Sequence, residues 1–142
     1  MAMELLVFKS FGDFTRYLEG RIEDIRRQLN DYIRRYNEIK ERADRLKNIE
    51  ELFAKMLGAK PELVSEIDLK GLKIVIGARP TDEVKVLEEV IKSLQDRLNV
   101  LIRVLKLIEP LASSLSETPG IEVMVEFVNG IPVKILLRET YS

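Results

Sequence analysis

Glu122 and Glu126 are the nearest approach in this chain to a paired acid and base. General acid–base chemistry needs two carboxyl groups aimed at one reacting atom. Four residues apart on an extended strand they share a face but sit about 13 Å from each other. They are expected to mark the solvated side of a strand. Ser113, Ser114 and Ser116 have no histidine to activate them, because the chain contains none; they read as the polar end of a helix rather than as nucleophiles. The adjacent acids Glu50-Glu51 and Glu88-Glu89 diverge on their helices and face solvent, so no metal site is expected. With no cysteine there is neither a disulfide framework nor thiolate chemistry. No glycine cluster forms a phosphate-cradling loop. Catalytic residues and cofactors are therefore expected to be absent, and the chain is read as a non-enzyme.

Arginine is the remaining chemical resource. Arg26, Arg27, Arg34, Arg35, Arg42 and Arg45 lie in one stretch, where a basic helix face can follow a phosphate backbone. Arg27, Arg34 and Arg45 are the candidate nucleic-acid contacts. Asp24, Asp31, Glu38, Glu41 and Asp44 are interleaved among them at helical ion-pair spacing. No aromatic stacking platform accompanies the arginines. A solvated helix surface is the better reading, and nucleic acid is not the expected partner. The whole chain agrees: 23 basic against 24 acidic residues give a formal charge of -1, hence no bulk attraction to polyanions or anionic membranes.

The elements that carry these residues are mostly helical. The chain is expected to be one elongated domain over residues 1–142, mainly α with a small β content. The short apolar stretch Glu4 to Phe8 either adds a strand to a sheet or packs as an arm. Ser10 is a helix cap, and a first helix follows over 11–57, ended by Gly58 and Pro61. Its heptads place Ile25, Tyr32, Ile39, Leu46 and Phe53 at one core position and Ile22, Leu29, Tyr36 and Ala43 at the other. The flanking positions carry Arg21, Arg35 and Arg42 on one side and Arg26, Lys40 and Lys47 on the other. A parallel homodimer of this helix would set like charges together.

A second helix over 82–116, capped by Thr81, offers a better partner. Folded back as an antiparallel coiled-coil hairpin, it sets Ala43 with Leu94, Ile39 with Leu98, Tyr36 with Leu101, Tyr32 with Leu105, Leu29 with Ile108 and Ile22 with Leu115. The same register brings Lys47 beside Glu88 and Arg26 beside Glu109. Pro110 falls inside this helix and is a site for a bend.

Small β elements punctuate the helices. Residues 66–77 alternate across Lys70-Gly71, as a β-hairpin or, failing that, a single strand. Residues 121–138 alternate about Asn129-Gly130. A three-residue loop, Val128-Asn129-Gly130, with Gly130 left-handed at a bulge, would bring the apolar residues of both strands onto one face. That face is expected to cover Phe11, Phe14 and Tyr17, or the same surface on another subunit.

The segment Leu72 to Arg97, LKIVIGARPTDEVKVLEEVIKSLQDR, resembles the passage from a prefoldin β-hairpin into its second helix. The resemblance covers about a third of the chain and implies a holdase chaperone. The tail hairpin departs from that pattern, since prefoldin helices end in free apolar tips that hold clients.

The second helix also has an apolar stripe that its hairpin partner does not cover: Val90, Val100, Val104, Leu107 and Leu111. This is the expected oligomer interface, giving a homodimer or higher assembly. The expected function is that of an interaction or scaffold protein which self-associates and presents its β elements to a protein partner. The alternatives are the holdase or a weak nucleic-acid-binding accessory. A charged content of 33% with few amides suits a thermophile. No stretch reaches the roughly 20 apolar residues of a membrane span, so the expected location is the cytoplasm.

Overall fold

The computed structural model describes residues 2–57, 65–76, 79–115 and 118–140. The chain is mainly α with small β elements, in the order β1 (Met3–Phe8), α1 (Phe11–Leu57), β2 (Ser65–Leu69), β3 (Leu72–Ile76), α2 (Pro80–Leu115), β4 (Ile121–Val128) and β5 (Ile131–Glu139). It divides into two compact units, Met1–Leu29 with Ser93–Ser142, and Asn30–Lys92. Each is described by itself. The expected stops at Gly58 and Pro61, the end of the first β segment at Gly77, the end of the second helix at Ser116 and the side chain of Phe53 lie outside the described residues.

In the first unit β4 is the middle strand of an antiparallel sheet, with β1 on one side and β5 on the other. The stretch that sequence alone left open between strand and arm is thus a strand, paired from Met3↔Val128 to Phe8↔Val123. Alternation does the rest: Val123, Val125 and Phe127 are buried, because successive side chains of a strand point to opposite faces. The inner face meets the aromatic start of α1, where the Phe127 ring lies 6.3 Å from Phe14 and 5.7 Å from Tyr17. Phe8 joins them at 5.2 Å from Phe14. Ser10 caps α1, its Oγ accepting the Asp13 amide at 3.1 Å.

The tail hairpin departs from expectation at its tip. Val128 pairs directly with Ile131, so the turn has two residues, and both Asn129 (φ 52°) and Gly130 (φ 79°) are left-handed. That turn matches the right-handed twist of the strands, which a longer loop does not require. The bulge sits further along: Phe127 pairs with Pro132 and Glu126 with Lys134, leaving Val133 as the extra residue on the edge strand. Proline lacks the donor that a regular ladder would need there. Ile135 and Leu137 consequently share the inner face with Val125 and Val123, while Ile131 goes to the other face with Val128.

The helices of this unit run side by side in opposite directions, but in a different register from that expected. Ile22 and Arg26 line one cleft together with Ile102 and Leu105, and Glu19 lies there with Glu109. Ile22 shares that cleft with Leu105 rather than with Leu115, while Arg26 and Glu109, expected side by side, both line it. Gly12 and Thr15 share a second cleft with Ala112 and Ser113. The sheet sets this register. Phe8, three residues before α1, is tied to Val123, a few residues after α2, so the start of one helix must lie beside the end of the other.

In the second unit β2 and β3 form a hairpin with Ile67↔Ile74 and Leu69↔Leu72 opposite each other. Lys70 takes the left-handed conformation at φ 50°, and the Gly71 amide donates to Asp68 Oδ1 at 3.0 Å, supporting a turn pair weaker than Asn-Gly. α2 begins at Pro80, which suits the first helical position because it has no amide to satisfy. Arg79 is therefore the cap residue, and Thr81 is inside the helix. The Asp82 carboxylate accepts the Arg79 amide at 2.9 Å, closing the helix end from within. Among the described residues of this unit only Ile39, Ala43 and Leu87 are buried.

Candidate interaction surfaces

The residues proposed for chemistry are dispersed by the fold. Glu122 and Glu126 share the outer face of β4 with different partners: Glu122 bonds the Arg138 guanidinium, its Oε2 accepting from Nε at 3.1 Å, and Glu126 stands opposite Lys134. Ser113 and Ser114 are exposed on α2. Among the described residues no three acidic, histidine or cysteine side chains come together as a metal site.

Of the arginines, Arg27 is bonded to Asp24 and Arg26 to Glu23 one turn earlier on α1. Such pairs arise from i,i+3 spacing and neutralise the basic face locally. Arg34 and Arg45 are exposed in the second unit. There Arg35 reaches across to α2, its Nε donating to Glu83 Oε1 at 2.8 Å. The Tyr36 hydroxyl donates to Glu88 at 3.2 Å. Lys40 has its ammonium 5.4 Å from the Tyr36 ring centre. A hydrogen bond with the Tyr36 side chain, reinforced by that group's charge and by Asp44 and Glu88, holds the lysine above its ordinary pKa.

Among the described residues apolar surface is open on α1, at Leu46, Ile49, Leu52 and Met56, and in three further places. The first is on α2: in the first unit Leu107 and Leu111 are 69% and 48% exposed and Val100 and Val104 half-buried, and in the second unit Val86 is 56% exposed and Val90 half-buried. The second is the outer face of the three-stranded sheet, where Met3, Leu5 and Val7 of β1 and Leu136 of β5 are exposed about the Glu126–Lys134 pair. Sequence reasoning missed it because β1 had no assigned partner. The third is the β2–β3 hairpin, with Leu69, Leu72 and Ile74 exposed. Single exposed apolar residues are ordinary, but contiguous ones mark contact surfaces. No helix among the described residues is long and apolar enough to cross a membrane.

No protein family, curated protein or solved structure matches the chain.

Proposed function

We propose that this chain is a non-enzymatic interaction or scaffold protein of the cytoplasm, built on an antiparallel coiled-coil hairpin. It self-associates through the second face of α2 and offers its small β elements to a protein partner. The observation that carries the reading is the exposure of Leu107 and Leu111 in line with Val100 and Val104, a run of aliphatic side chains at helical spacing that α1 leaves uncovered. Burying a leucine from water contributes about 1.5–3 kcal/mol, so a few such residues on each copy suffice to drive association. The outer sheet face, with Met3, Leu5 and Val7, supports the second half of the reading.

Light scattering across a concentration series tests it. The wild-type chain is expected to scatter as a dimer or larger species, and Leu107→Asp as a monomer of unchanged helicity. A wild-type monomer at every concentration would remove the self-association reading. The exposed apolar hairpin at Leu69, Leu72 and Ile74 favours a second reading, a holdase that shields unfolded chains. Suppressed aggregation of a denatured test protein, lost in Leu72→Ser, would establish that activity.

A further inference from the structure

We infer that the free edge of β1 takes up an extended segment of a partner protein as an added antiparallel strand, with a basic residue opposite Glu4 and apolar residues opposite Met3, Leu5 and Val7. The inference rests on the reading that the β elements meet a protein partner, and it names the element and the chemistry. Among the described residues β1 is the outermost strand on its side of the sheet, with β4 as its one neighbour. Which of its backbone groups are already used follows from one bond: the Asn129 amide donates to the Ala2 carbonyl at 2.8 Å. The amide and carbonyl of a strand residue point to the same side, and that side alternates along the chain. Ala2, Glu4, Leu6 and Phe8 therefore turn theirs toward β4, in a ladder that is unbroken from Met3↔Val128 to Phe8↔Val123. Met3, Leu5 and Val7 turn theirs outward.

The two edges of the sheet differ in what keeps strangers off them. β5 has Pro132, the extra residue Val133 and the charges of Lys134 and Arg138, all devices that blunt an edge. β1 has no proline, no bulge and one charge, Glu4. Its outer-face side chains Met3, Leu5 and Val7 are 61%, 54% and 53% exposed. Glu4 is exposed and has no ion-pair partner among the described residues. A strand that bonds Met3, Leu5 and Val7 meets Glu4 in a non-hydrogen-bonded pair, where facing side chains come closest. An opposite charge there is favourable and a like charge is not. That condition disfavours a second copy of β1. Its fullest antiparallel pairing, Leu5 on Leu5 and Met3 on Val7, makes the two Glu4 side chains diagonal neighbours on one face. Centring on Glu4 sets them directly opposite, and centring on Leu6 leaves Met3 facing Lys9, beyond the strand. A segment with lysine or arginine between apolar residues satisfies both the charge and the outer face.

The probe is a labelled synthetic peptide with blocked ends, Thr-Val-Thr-Val-Lys-Val-Thr. Antiparallel to β1, it sets its valines opposite Val7, Leu5 and Met3 and its lysine opposite Glu4. Fluorescence anisotropy with the full chain, titrated into the millimolar range, is expected to show saturable binding. Leu5→Pro removes an outward amide that β4 does not use, a change an edge strand tolerates. It is expected to weaken the peptide about tenfold while the thermal melt is unchanged. Glu4→Lys leaves the backbone alone, and so decides the matter even if proline disturbs the strand. It is expected to reverse the preference, by about threefold or more, toward a peptide with glutamate in place of lysine. No saturable binding to the wild-type chain, or no reversal in Glu4→Lys, would overturn the inference. Binding that survives Leu5→Pro and is lost in Leu136→Ser would lay the peptide flat on the outer face, which removes the edge site and keeps the reading of a protein partner. A wild-type dimer that Leu5→Pro dissociates in sedimentation velocity would give the edge to a second copy instead. Loss of the α2 interface in light scattering leaves each of these results as it stands.

Discussion

Asn129 and Ala2 exchange two hydrogen bonds: the Asn129 amide donates to the Ala2 carbonyl at 2.8 Å, and the Ala2 amide donates to Asn129 Oδ1 at 3.0 Å. The tip of one hairpin thereby holds the first strand of the sheet. The turn needs a left-handed residue at 129, and the clamp needs its side-chain acceptor. Asn129→Gly keeps the first and loses the second, so it is expected to cost about 0.5–1.5 kcal/mol. Asn129→Ala loses both and adds the left-handed penalty of about 1–2 kcal/mol. Urea melts of the two variants check this. Equal losses would mean that the side-chain bond contributes nothing.

The two faces of the sheet should respond differently to truncation. Phe14 is fully buried against Phe8 and Phe127, and Phe14→Ala is expected to destabilise by about 3–5 kcal/mol through the cavity it leaves. Leu5, on the outer face, is 54% exposed, and Leu5→Ser should stay within about 0.5 kcal/mol in the isolated chain. Thermal unfolding of both variants is the measurement. A large loss at Leu5 would show that the outer face is already covered.

How much of this was legible in the sequence depended on the range of each signal. Local ones went part of the way: the cap at Ser10 and the heptad positions Ile22, Ile25, Leu29, Ile39 and Ala43 act within a few residues, but the Asn129-Gly130 turn has two residues rather than the expected three, and the heptad positions Tyr32 and Leu46 are exposed. The register between the helices was not legible. Two heptad stripes fit each other at several offsets with nearly equal apolar overlap, and the expected pairing of Ile22 with Leu115 is not the one seen, since Ile22 lines a cleft with Leu105. The deciding interaction is the pairing of β1 with β4, which spans nearly the whole chain and needs no distinctive residue type. Charge near a seam is worth tenths of a kcal/mol when exposed, while six paired strand residues outweigh it. The outer sheet face went unseen for the same reason.

That register is open to a direct check. With no native cysteine, spin labels can be placed at Ile22 and Leu105, or at Ile22 and Leu115. Leu105 and Leu115 are ten residues apart on α2, about 15 Å along its axis. The first pair is expected to give the shorter distance by roughly that order. The reverse ordering would restore the charge-based register and detach the helices from the sheet pairing.

Buried residues are unevenly distributed between the units, with consequences for local opening. Phe11, Phe14, Leu18, Ile22, Ile25 and Leu29 are buried in the first unit, against Ile39 and Ala43 on the part of α1 in the second. Amides of α1 from Leu18 to Leu29 are expected to exchange with solvent at least about tenfold more slowly than those from Ile39 to Ala43, because fewer apolar contacts oppose opening in the second unit. Hydrogen exchange read by mass spectrometry resolves the two stretches. Equal protection would imply that the second unit is stabilised by contacts beyond its own buried side chains.

Lys40 supplies a prediction in pH. Its partner is the Tyr36 side chain, which favours the charged ammonium and raises the lysine above 10.5. A raised folded value means that the interaction is fully present below the unfolded pKa and is lost as pH rises through the folded one. Its contribution is therefore constant through neutral pH and disappears only above 10.5. In an NMR titration the Lys40 side chain is expected to reach its midpoint above the ordinary lysine value of 10.5. Tyr36→Phe keeps the ring beneath the ammonium and removes the hydroxyl, so it should return Lys40 toward that value. The same variant frees Glu88 from the hydroxyl that donates to it, yet Glu88 can still favour the Lys40 cation. A Lys40 midpoint that stays high in Tyr36→Phe would assign the shift to the carboxylates rather than to the tyrosine.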